Sequence, residues 1–95
     1  MLLLLLSLTF STPDAKTKHC VNIGSHAYTA MKMRQDGHSL ADIRENLSSM
    51  TKAQQTELSK LINKAYSFRI FDEPEYKTHI IKLFAFEQVA ECMKK

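Results

Sequence analysis

The sequence predicts an all-α protein, a small three- to four-helix bundle closed by one disulfide between its first and last helix. Three observations predict it. Apolar residues recur at three- and four-residue steps through four segments, the period of one helix face. Only two glycines and few β-branched runs leave little material for a sheet. Two cysteines, Cys20 and Cys92, stand near the two ends of the chain. The 95 residues are one domain at most, too few for a dinucleotide-binding domain, a kinase or an α/β barrel. With 44% hydrophobic and 24% charged residues the composition is globular rather than disordered.

Residues 2–10, LLLLLSLTF, precede the bundle. A membrane-spanning helix needs about 20 apolar residues, whereas a signal-peptide core needs only about 7–15. Five consecutive leucines offer no polar face for a surface helix. Residues 1–15 are therefore read as a signal peptide and residues 16–95 as a single helical domain. Cleavage after Ser11 has Thr9 and Ser11 at the small-residue positions. Cleavage after Ala15 puts Pro13 where a small residue is preferred. No Lys or Arg precedes the leucine run, so the positive charge comes from the α-amino group or from residues upstream of Met1. In an exported chain two cysteines have one pairing, Cys20 with Cys92. A loop of about 70 residues closed in this way contributes about 4 kcal/mol.

The first helix is expected over residues 16–36, where Cys20, Ile23, Ala27, Ala30, Met31 and Arg34 share a face. Gly37 suits the left-handed stop that follows. A short second helix spans 40–48, with Ser39 as cap, Asp42 as its reciprocal partner, and Leu40, Ile43 and Leu47 as the apolar stripe. The third begins at Thr51, with Gln54 completing a second capping box. Its stripe is Leu58, Leu61, Ile62, Ala65 and Tyr66, and it fades near Phe68. A connector, residues 69–73, leads to Pro74, a first-turn proline with Asp72 or Glu73 as its cap. The fourth helix covers 75–93. Ile81, Phe84, Ala85, Val89 and Cys92 share its buried side, with Tyr76, Ile80 and Leu83 widening it.

Motifs for catalysis are few. The chain has no GxSxG elbow, P-loop or GxGxxG, and bridged cysteines are not nucleophiles. Of the four histidines only His19 and His26 are in helical register, two turns apart and with no acid to complete a cluster. No enzyme activity, metal or cofactor is expected. A net charge of +3 is too mild for a dedicated nucleic-acid binder. Residues 37–61 have a faint helix-turn-helix outline, with Gln54, Gln55, Lys52 and Lys60, which an exported chain would not present to DNA. Met31, Met33 and Met50, with Phe68, Phe71, Phe84 and Phe86, are core or an adaptable groove. Ile70 and Phe71 sit in a connector, where they are either an exposed partner patch or folded under the bundle. Arg34 is the polar member of an apolar stripe. It is expected to pair with an acid or to cap carbonyls of its own helix, and otherwise to anchor a partner.

These residues carry a resemblance. A cysteine after the signal, a glycine, Met-x-x-Arg-Gln-x-Gly closing the first helix, Ile-x-x-Ala-Tyr, and a late cysteine are here Cys20, Gly24, Met31, Arg34, Gln35, Gly37, Ile62, Ala65, Tyr66 and Cys92. The chain resembles a loosely defined family of small exported two-cysteine proteins of proteobacteria and their phages. It departs after Tyr66, where a proline is expected and Ser67–Phe68–Arg69 stands. That family has no established activity, so the resemblance implies location and fold only.

The resulting expectation is a periplasmic or secreted, non-catalytic helical protein that binds another envelope protein, for example as a phage-encoded modulator of lysis or of host-envelope function. The candidate partner-binding residues are Arg34, Gln35, Tyr66, Ile70 and Phe71. Nucleic acid is not an expected partner, and the membrane is one only through the N-terminal segment. Two alternatives are a regulator retained at the membrane by an uncleaved leucine-rich anchor and a cytosolic helix-turn-helix DNA binder. Oligomeric state is not legible in the sequence.

Overall fold

The computed structural model describes residues 14–95. The proposed signal peptide therefore lies almost wholly outside the described residues. Four helices account for the described residues: α1 (Ala15–Gln35), α2 (Leu40–Leu47), α3 (Lys52–Tyr66) and α4 (Pro74–Lys94). Among the described residues there is no strand, and no helix is long and apolar enough to cross a membrane.

The helix ends follow from local chemistry. Asp14 accepts from the Thr17 amide at 2.8 Å and starts α1. That hydrogen bond holds the Asp14 carboxyl below its usual range. At the other end Gly37, with φ 85°, occupies the left-handed position. The Gly37 amide donates to the Arg34 carbonyl and the His38 amide to that of Met33, the paired bonds of a Schellman stop. Ser39 accepts from the Asp42 amide. Thr51 and Gln54 form a complete capping box on α3. Glu73 caps α4 without a side-chain hydrogen bond, and Pro74 takes the first turn.

Helices α1 and α4 run antiparallel, because Cys20 meets Cys92 at one end and Lys77 donates to the Gln35 carbonyl at the other. The disulfide joins residues 72 apart in sequence, with Cα atoms 5.5 Å apart. Gly24 lets these two helices come close, since a Cβ there would collide with Cγ2 of Val89. Helix α3 lies beside both, antiparallel to α4, with Lys64 near Gln88 and Phe68 edge-on to Phe84 at 5.7 Å. The core is Ile23, Ala27, Ala30 and Met31 from α1, Ile43 and Leu47 from α2, Leu58, Leu61, Ile62 and Ala65 from α3, and Ile81 and Phe84 from α4.

One helix face differs from its expected role. Tyr76 is 57% exposed and Leu83 is 39% exposed, so they do not widen the buried side of α4. Two neighbouring helices cannot cover a third all round. The core takes Ile81, Phe84 and Gln88, and the residues on the far side of α4 face water.

Candidate functional site

Arg34 and Gln35 end α1 directly against the connector. Gln35 is 1% exposed. Its Nε2 donates to the Arg69 carbonyl at 2.9 Å and contacts Sδ of Met31, while its Oε1 accepts from the Phe71 amide at 2.9 Å. A side-chain amide has one donor group and one acceptor group, and a strand-like backbone offers their complements. Arg34 Nε donates to the Phe68 carbonyl at 2.9 Å, and its guanidinium lies 5.1 Å from the centre of the Tyr66 ring. It therefore pairs with neither an acid nor a carbonyl of its own helix. Its acceptor lies 34 residues away, just past the end of α3.

The Tyr66 hydroxyl donates to the His38 carbonyl at 2.8 Å. Burial pushes its pKa up, against the pull of Arg34, so it stays a donor at neutral pH. Three of the five candidate partner residues thus bind the chain to itself. The other two are more open. Ile70 is 41% exposed, and Phe71 is half-buried between the Arg69 guanidinium and the Tyr76 ring.

Other residues that the sequence singles out are structural as well. Cys20 and Cys92 form the disulfide, Gly24 admits Val89, and Gly37 stops α1. Met31, Ile62 and Ala65 are core. Arg34, Gln35 and Tyr66 fasten two of the three inter-helix segments.

Gln54 and Gln55, which a DNA-reading helix would turn outward, serve the start of α3. Gln54 closes the capping box and Gln55 donates to the Met50 carbonyl at 2.8 Å. Met33 and Met50 border a small apolar pocket of about 140 Å³ with Ile43, Leu47 and Leu58. Among the described residues no three His, Cys, Asp or Glu side chains gather as a metal site.

A cleft of about 780 Å³ lies beside the disulfide. Each of three helices contributes one stripe to it. Lys16, His19, Cys20 and Ile23 come from α1, and Gln88, Glu91, Cys92 and Lys95 from α4. Ala53, Glu57, Lys60, Leu61 and Lys64 come from α3. The floor is apolar: Ile23, Leu61 and the disulfide. The rim is charged, and its two acids are engaged. Glu57 meets Nε2 of His19 at 3.0 Å, and Glu91 meets Nζ of Lys64 at 3.2 Å. Lys16 and Lys60 have no ion pair among the described residues. The sequence does not mark these residues as one site. Each stripe has ordinary helical spacing, and only the bundle brings the three stripes together.

The fold and its cleft define a class: a disulfide-closed, all-α bundle with an open, lysine-rimmed groove. Comparison with family models, curated proteins and solved structures yields no match to the chain.

Proposed function

We propose that this is a small exported module that binds another envelope protein without catalysing a reaction, and that an acidic segment of the partner docks in the cleft beside Cys20–Cys92. The cleft carries the reading. Its apolar floor offers contact area, and Lys16 and Lys60 supply positive charge that no side chain of the described chain neutralises. The disulfide supports export, because such bonds persist in oxidising compartments. The N-terminal leucine run supports a cleaved signal. Cleavage after Ser11 is favoured, since it keeps the Asp14 cap of α1. The resemblance to small exported proteins of proteobacteria and phages supports seeking the partner in a bacterial envelope, with modulation of lysis or of the host envelope as the biological setting.

Two measurements test this. Intact mass of the periplasmic protein should show loss of residues 1–11 and a mass about 2 Da below the dithiol form. A full-length, reduced species in the cytosol overturns export. A benzoylphenylalanine in place of Ala53, an exposed cleft residue, should give a defined envelope-protein adduct on illumination. Lys60→Glu should abolish that adduct. No adduct, or one indifferent to Lys60→Glu, overturns the cleft as the docking site.

A further inference from the structure

The outer face of α4 contributes no residue to the core cluster. Tyr76, His79, Leu83, Phe86, Ala90 and Met93 follow one another at steps of three and four, the a and d positions of a heptad. The core positions of α4 lie elsewhere on the helix, at Ile81, Phe84 and Gln88. Phe86 is 71% exposed and Met93 42%. A seam of this spacing is complementary to another helix with the same spacing, because knobs then enter holes along its length.

We infer that α4 packs antiparallel against α4 of a second copy, about a twofold axis between Phe84 and Ala85. That register sets Phe86 of one chain against Leu83 of the other, Tyr76 against Met93, and His79 against Ala90. Every layer pairs two large side chains or a large one with a small one. A parallel pairing would set Ala90 on Ala90 and leave a void. Antiparallel helices also oppose their dipoles. The flanking charges balance, with Glu75 and Glu87 against Lys82 and Lys94, so the seam does not repel itself despite the net charge of +3.

Across a shallow groove over Gly24, the half-exposed Val21 and Tyr28 of α1 border the seam. Together with Tyr76, Leu83, Phe86 and Met93 they offer about 600 Å² of exposed side-chain surface per copy, taking about 200 Å² for a whole side chain. The pair then buries about 1,200 Å², the lower edge of specific interfaces. The dimer is accordingly a weak, concentration-dependent one. It leaves the cleft open, since Gln88, Cys92 and Lys95 lie on the other side of α4.

Sedimentation equilibrium of the exported, oxidised protein should show a mass that moves from one chain to two as concentration rises. Phe86→Glu alone and Leu83→Lys alone should each abolish association while helicity and cooperative thermal unfolding are retained, because neither side chain belongs to the core cluster. Mixing these two variants should restore a dimer, since the register places position 86 opposite position 83. The inference is overturned by a single-chain mass at every concentration, by a Phe86→Glu variant that still dimerises, or by a mixture that fails to associate.

Discussion

Gln35 shows how one polar side chain can organise a segment that has no regular structure. The connector between α3 and α4 must turn with its peptide groups partly shielded, and buried peptide groups need partners. Gln35 supplies two of them, at Arg69 and Phe71, and Arg34 a third, at Phe68. Gln35→Ala leaves the Arg69 carbonyl and the Phe71 amide without these bonds and opens a gap beside Met31. The expected loss is about 2–4 kcal/mol in chemical denaturation. Ile70→Ala, at a partly exposed side chain outside the core cluster, should cost less, about 1 kcal/mol, in the same assay. The sequence marks Arg34 and Gln35 as unusual, since both stand near an apolar stripe. It does not reveal their acceptors, which lie 34 residues further on.

The α1–α4 pair is the most extensive helix pairing among the described residues, and its close approach turns on Gly24 and Val89. In an isolated helix Gly24→Ala would be favourable by about 1 kcal/mol. Here the new Cβ meets a β-branched side chain with little rotamer freedom, and overpacking of this kind costs about 1–3 kcal/mol. Gly24→Ala should therefore lower the thermal midpoint of the protein. In a Val89→Ala background the same change should raise it, because the obstacle is gone and the helix propensity remains. A midpoint that rises in both backgrounds would mean that the two helices do not approach this closely.

The element boundaries were legible from local signals. The left-handed Gly37, the Thr51–Gln54 box and the first-turn Pro74 all stand where the sequence placed them. The reciprocal half of the Ser39–Asp42 box is not formed, and only the Asp42 amide is bonded to Ser39. The two faces of α4 were less legible. Both are apolar, and periodicity cannot say which of two stripes meets the core.

Over the described residues, three long helices and one short one share a single core, and a disulfide joins the first to the last. The link encloses almost the entire domain. Loop closure over 72 residues constrains the unfolded chain by about 4 kcal/mol. That is a large share of the roughly 5–15 kcal/mol typical of a domain. The double variant Cys20→Ser with Cys92→Ser should unfold at much lower urea, with a free-energy difference near that value. A reductant should shift the wild-type midpoint to match it, and an unmoved midpoint would show that the core alone sustains the fold.

The sequence by itself determined the class of fold, the helices and their ends, and the one disulfide that two cysteines can make. Each of these rests on interactions within a few residues along the chain, or on a count. Only the tertiary structure decided the rest. It turned Arg34, Gln35 and Tyr66 inward as fasteners and left Tyr76 and Leu83 exposed on the far side of α4. It also brought Lys16, Lys60 and Lys64 around one apolar floor. The physical reason is range. A cap or a helical stripe is satisfied locally, whereas the burial of a polar group and the convergence of three stripes depend on partners tens of residues away.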